Sequence, residues 1–212
     1  MTDDHSINIA ATCIGTRALG PGRRSVVWVQ GCPFDCDGCV SPEWIPQRIA
    51  HQVTTSRLTT ELLSDSEVTG LTFSGGEPML QAEALAELAR HARRVRDIDI
   101  ICYTGFTLQR LRRMPAPGVA ELLNEVDVLI DGVYVAGLDD GRGLRGSSNQ
   151  RIHHLSDRLA EHDFETSARS VELRISSGES LMVGVPPSGL LSALDAIGGP
   201  AGAVLSANGG DR

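Results

Sequence analysis

Two textures of apolar and polar positions alternate along the chain. Short apolar runs, "SVVWVQ" (25–30), "EVTGLTF" (67–73), "DIDIICY" (97–103) and "VDVLI" (126–130), read as strands buried on both faces. Between the second and third, "LQAEALAELARHARRV" (80–95) sets Leu85, Leu88, Ala92 and Val95 at three- and four-residue steps with charges between them. That is the pattern of an amphipathic helix, and Pro78 suits its first turn. A short helical stretch around Leu108 to Arg113 and "VAELLNEV" (119–126) fill later intervals, separated by the breaker "MPAPG" (114–118). Strands alternating with helices predict an α/β fold with a parallel sheet or barrel. After the glycine-rich loop "AGLDDGRGLRGSSNQ" (136–150) the texture changes. "VELRIS" (171–176) and "SLMVGV" (180–185) predict a hairpin, and "SGLLSALDAI" (188–197) a short helix capped by Ser188. The Gly/Ala-rich tail from Gly198 is expected to be disordered.

Polar residues cluster just past each predicted strand. Cysteines follow the first, "GGE" the second, "TG" the third and "DG" the fourth. In α/β barrels the chemistry lies on that face. Any loop after a strand tends to hold glycine and polar residues. Four in succession, one with clustered cysteines, carry more weight.

Composition narrows the classes. The chain has 212 residues, 41% hydrophobic but only 4% aromatic, so aliphatics and alanine must fill the core. Net charge is −8, and all 19 basic residues are arginine with no basic run. Such a chain is a poor binder of nucleic acid or anionic membranes through charge. "MTDDHSINIA" lacks the basic start and apolar core of a signal peptide. No apolar run approaches the roughly 20 residues of a membrane-spanning helix, so a cytoplasmic location is expected. Five cysteines, three of them clustered, favour metal binding over disulfides in a reducing compartment.

"GCPFDCDGC" (31–39) holds Cys32, Cys36 and Cys39. Structural zinc would normally draw on a second Cys/His pair, and His51 stands alone. Cys102, inside an apolar strand, and Cys13, near a strand-like start, read as buried small residues. An iron–sulfur cubane is the other candidate. Three thiolates would leave its fourth iron open to a small molecule. Pro33, Gly38 and Pro42 suit a sharply turning loop. "GRGLRG" (141–146) fits a dinucleotide fingerprint in letters only, since no strand precedes it and no helix follows. His153 and His154 are adjacent and would point apart, which disfavours a joint metal site.

Cys32-x3-Cys36-x2-Cys39 resembles the signature of the radical S-adenosylmethionine enzymes. Together with "FSGGEP", "YTGF" and "VDVLIDGVYV…LRGSSNQRI", it resembles the glycyl-radical activases of anaerobic ribonucleoside-triphosphate reductases over roughly residues 6 to 152. The resemblance implies a partial (β/α) barrel of the radical SAM type with a short C-terminal β-hairpin/helix extension. The core would span 1–152, the extension packed on it 153–197, and a tail 198–212. It implies that Cys32, Cys36 and Cys39 ligate a [4Fe–4S] cluster whose open iron takes S-adenosyl-L-methionine. Gly75, Gly76 and Glu77 would hold the amino group of that molecule. Tyr103, Thr104 and Asp131 would line the cofactor site. Ser147 and Asn149, within the stretch from Arg145 to Gln150, would sit near it or near the partner-binding mouth.

The implied reaction is reductive cleavage to a 5′-deoxyadenosyl radical, followed by hydrogen abstraction from a glycine Cα. The implied partners are a large glycyl-radical enzyme, the anaerobic ribonucleotide reductase, and a flavodoxin- or ferredoxin-type electron donor. Gly38 stands where the superfamily often has an aromatic, as it does in the activases. Val40 and Ser41 depart from the bulkier polar pair expected there. Two other readings stay open: a radical SAM enzyme acting on a small molecule or peptide, and, more remotely, a non-enzymatic metal-binding interaction protein.

Overall fold

The computed structural model describes residues 4–176, 179–187, 189–190 and 193. The helix expected over 188–197 falls largely outside them, and the tail from Gly198 wholly so. In chain order the main elements are β1 (Ser6–Thr16), β2 (Arg24–Val29), β3 (His51–Thr54), α1 (Thr55–Leu62), β4 (Gly70–Gly75) and α2 (Ala82–Val95). Then come β5 (Asp99–Thr104), α3 (Leu108–Leu111), α4 (Val119–Glu125), β6 (Val128–Asp131) and β7 (Arg151–His154). Strands β8 (Val171–Ser176) and β9 (Glu179–Gly184) pair as a separate antiparallel hairpin.

The main sheet has the order β3-β1-β2-β4-β5-β6-β7. Its four central strands, β2, β4, β5 and β6, are parallel. The flanking strands β3, β1 and β7 are antiparallel additions. The fold is therefore mixed α/β around a parallel-rich sheet. The boundary expected at residue 152 falls inside β7.

Both faces of the central strands are buried, which is why they read as unbroken apolar runs. Val27, Val29, Leu71, Phe73, Ile100 and Leu129 face the helices and pack with Leu58, Leu62, Leu85, Leu88 and Leu122. Cys102 lies in the same layer, fully buried, as its setting predicts. Alternate residues face the other way. Val26 and Trp28 pack with Ala18, Leu19, Trp44 and Val183. Ile101, Val128 and Ile130 pack with Leu159 and Phe164. Helices cover one face, and chain beyond the sheet helps cover the other.

Three strand starts fall later than expected. Val68, Ile98 and Val126 are buried before β4, β5 and β6 begin, so the apolar signal there marks packing and not pairing. Val95, read as part of the α2 stripe, is exposed at the helix end; the buried stripe stops at Ala92. At the N-terminal edge, fully buried Arg24 pairs with Asp99 and donates to Leu71 O and Thr72 Oγ1. A buried guanidinium is tolerable only when paired and bonded in this way.

Candidate active site

Parallel strands end at one edge, so the loops after β2, β4, β5 and β6 meet there. A cavity of about 370 Å³ opens between them. Its lining includes Cys32, Cys36, Cys39, Gly75, Gly76 and Glu77, joined by Tyr103 and Thr104. The chain's two tryptophans and two tyrosines all lie on this lining, as Trp28, Trp44, Tyr103 and Tyr134. Only Tyr103 of these was singled out from sequence. The available signal was that so few aromatics, in so aliphatic a chain, flank the motifs.

The cysteine loop is held by backbone bonds. Cys32 N–H donates to Ile45 O at 3.0 Å and Cys39 N–H to Cys36 O at 3.1 Å. Gly38 sits at φ +73°, and a Cβ there would meet Ala136 at 2.9 Å. The three thiols are partly buried and free. A backbone N–H acts on each sulfur to lower its pKa, that of Phe34 on Cys32, of Tyr134 on Cys36 and of Ser41 on Cys39. Burial nonetheless raises all three thiol pKa values, Cys32 to about 11. Backbone N–H groups aimed at sulfur are what stabilise and tune an iron–sulfur cluster, so the donor set fits one. Among the described residues no group of three or more His, Cys, Asp or Glu is spaced to hold a single metal ion. A cubane gives each thiolate its own iron and does not need that spacing.

The glycines after β4 serve the backbone first. Gly75 has φ +103°, and a Cβ on it would lie 2.5 Å from Val29 N. One on Gly76 would lie 2.3 Å from Gly31 O. Gly76 N–H donates to Val29 O and Glu77 N–H to Gly31 O. This close approach fastens the end of β4 to the start of the cysteine loop.

Glu77 is 1% exposed. Its carboxylate accepts from Met79 N–H at 2.9 Å, Thr104 Oγ1–H at 2.8 Å and Gly105 N–H at 2.8 Å. It braces the ends of β4 and β5 and occupies the first free N–H after Pro78. Burial outweighs those donors and pushes its pKa up to about 7. The folded state therefore keeps a proton that the unfolded chain loses near pH 4.5. Stability from this group is greatest below that pH and falls as pH rises toward 7, by about 1.4 kcal/mol per unit. Urea unfolding of the chain before cluster loading should show this decline between pH 5 and 7.5. In Glu77→Gln the slope should flatten; an unchanged slope would count against a protonated Glu77.

The remaining expected residues divide. Tyr103 donates its hydroxyl to Leu144 O at 2.8 Å, and burial raises its pKa. Thr104 is engaged with Glu77. Asp131 does not line the cavity; neighbouring Gly132 does. Two positions after Leu129 on β6, Asp131 shares its helix-facing side, accepts Leu108 N–H and lies 2.9 Å from His153 Nε2. That contact lacks hydrogen-bond alignment. His154 instead lies against the Phe164 ring, so the two histidines diverge.

Ser147, fully buried, accepts Val135 N–H, and Asn149 donates to Val133 O. Both shape the loop, while Gly146 and Gln150 of the same stretch line the cavity. Gln150 accepts from Gly146 N–H and donates to Gly132 O, each at 2.7 Å. Met182, Gly184, Val185, Pro186, Pro187 and Gly189 add to the lining from beyond the region of motifs.

Comparison with known proteins agrees with this arrangement. A family described as a 4Fe-4S single cluster domain matches residues 18–153. The anaerobic ribonucleoside-triphosphate reductase-activating protein of Enterobacteria phage T4 is 34% identical over 150 residues, 68% of this chain and 92% of the relative. Its counterpart from Vibrio cholerae is 33% identical over 147 residues, 65% and 91% of the two chains. The pyruvate formate-lyase-activating enzyme of Clostridium pasteurianum is 37% identical over 76 residues, 34% and 32%. The phage and Vibrio relatives are covered almost completely at 34% and 33% identity, and the chain belongs to the family of anaerobic ribonucleoside-triphosphate reductase-activating proteins.

Proposed function

We propose that the chain is a radical SAM oxidoreductase that activates a glycyl-radical enzyme, the anaerobic ribonucleotide reductase. One observation carries the proposal: three thiols share a cavity with the glycine turn after β4 and with five aromatic rings, those of Trp28, Phe34, Trp44, Tyr103 and Tyr134. Cys32, Cys36 and Cys39 would hold a [4Fe–4S] cluster, and the cavity beside them S-adenosyl-L-methionine. When bound, this pair supplies a one-electron cleavage to methionine and a 5′-deoxyadenosyl radical, which takes a hydrogen atom from glycine Cα of the partner.

The chain's own residues hold and shield. Gly75 and Gly76 bring the β4 turn against the cluster loop. Trp28, Trp44, Tyr103 and Tyr134 supply faces on which a purine can stack. Glu77 sets the β4 and β5 ends through its three protein donors and, lining the cavity, would with Gly75 and Gly76 hold the amino group of S-adenosyl-L-methionine. Ser147 and Asn149 act by shaping the loop, and Asp131 by anchoring α3.

The parallel-rich sheet is taken as the partial barrel of the radical SAM type, with 1–152 as core and the following segment as an extension. A flavodoxin- or ferredoxin-type donor would supply the electron in the cytoplasm. Among the described residues no helix is long and apolar enough to cross a membrane.

The test is anaerobic reconstitution with iron and sulfide, then reduction in the presence of S-adenosyl-L-methionine and the host's anaerobic reductase. A glycyl doublet in the EPR spectrum, with 5′-deoxyadenosine formed alongside it, is expected. Deoxyadenosine without a doublet would move the assignment to a small-molecule or peptide substrate. Neither product from a loaded cluster would end the enzyme assignment.

A further inference from the structure

The segment beyond the family match builds part of the cavity. The match ends at residue 153, and the phage and Vibrio relatives are almost fully covered by about two thirds of this chain. Met182, Val185, Pro186 and Pro187 nevertheless line the cavity beside the cysteine loop.

This strip is firmly held. Val183, fully buried, packs with Ala18, Leu19, Val26 and Trp28. Arg17 N–H donates to Glu172, and Arg174 donates to Gly15 O. Arg169, with a side chain 2% exposed, ties the strip to the opposite loop. Its Nη1 donates to Asp139 Oδ1 at 2.8 Å and Pro186 O at 3.0 Å. Its Nη2 donates to Arg145 O at 2.7 Å and Gly146 O at 3.2 Å, and its Nε to Gly143 O at 3.3 Å. Asp139, Gly146 and Pro186 are all cavity residues. One rigid guanidinium fork therefore sets the spacing between two walls, a task the point charge of lysine would not perform.

We infer that the strip from Met182 to Pro187 is a fixed wall of the substrate entrance, spaced by Arg169, that selects the hydrogen donor by girth. The wall is apolar and carries no charge. A slender chain with no side chain at the reacting position passes it, and a branched donor does not. Arg169 is a positioning residue for that wall. The identity of the donor rests on the function proposed above; the wall itself does not.

The test compares wild type with Met182→Ala, Met182→Trp and Arg169→Met. The full-length chain, before cluster loading, is alkylated with iodoacetamide and separately with fluorescein maleimide. Modification of each cysteine is followed by mass spectrometry. Met182→Ala and Arg169→Met should raise the rate of the bulky reagent relative to the small one at Cys32, Cys36 and Cys39 by about tenfold, and Met182→Trp should lower it similarly.

Buried Cys102 reports unfolding, which would expose it to both reagents. A size ratio equal in all four proteins, with Cys102 still protected, overturns the wall. If Arg169→Met alone exposes Cys102, the Met182 pair decides the matter. Thiol access needs no cofactor, so a failed EPR assay would strike the proposed function and leave this result standing.

Discussion

Cys36→Ala is expected to abolish cluster loading and all formation of 5′-deoxyadenosine while leaving the fold intact. Cys36 is on a partly exposed loop outside the packed core and lines the cavity. Removing it deletes one of three thiolates and takes little apolar surface from the interior. Stability before loading should stay within about 0.5 kcal/mol of wild type, as for substitutions away from the core. Cys102→Ala should behave in the opposite way. Its side chain is fully buried among the helix-facing aliphatics, so the cost is to packing and the cluster still loads. Iron and sulfide analysis after reconstitution separates the two. A Cys36→Ala chain that retained both cluster and deoxyadenosine formation would sink the ligand assignment.

Gly76→Ala should destabilise the chain itself. The added methyl would lie 2.3 Å from Gly31 O and 2.7 Å from Gly31 C. Both atoms are backbone, so no flexible side chain can yield. Relief requires the end of β4 to separate from Gly31, which directly precedes Cys32. The cost is on the order of 4 kcal/mol, a fall in Tm of about 8–16 °C for a chain of this size. Gly137→Ala is the control, because nothing lies within 4 Å of the point its methyl would occupy, and it should be nearly neutral. Thermal unfolding of the three proteins measures this. A Gly76→Ala Tm close to wild type would show that the close approach to Gly31 does not require glycine.

These two outcomes bear on how motifs are read. "GGE" was legible as a ligand-binding signature, yet Gly75 and Gly76 are already required by the backbone approach to Val29 and Gly31. Glu77 was expected to favour an ammonium group; its carboxylate lines the cavity and also accepts from three protein donors. A motif letter says that a residue type is needed; the neighbours determine what needs it. Asp131 shows this most plainly. It reads from sequence as the first residue after a strand, but it is the last residue of β6, whose two-residue period turns it toward the helices.

The sequence alone determined the βα series, the four parallel strands and the cysteine loop at their ends. Those features are local. Apolar runs, helical spacing and turn residues lie within a few positions of one another, so their signal survives without a partner strand. β1, β3 and β7 were not among the strands expected from the sequence. β1 mixes buried and half-exposed positions, and β3 and β7 are four residues long, so pairing partners and not composition make them strands. The tertiary structure also decided what closes the cavity. Arg169 in sequence is one arginine among 19. Only folding brings its guanidinium to carbonyls 17 to 26 positions away in the chain, where burial makes each of those bonds necessary.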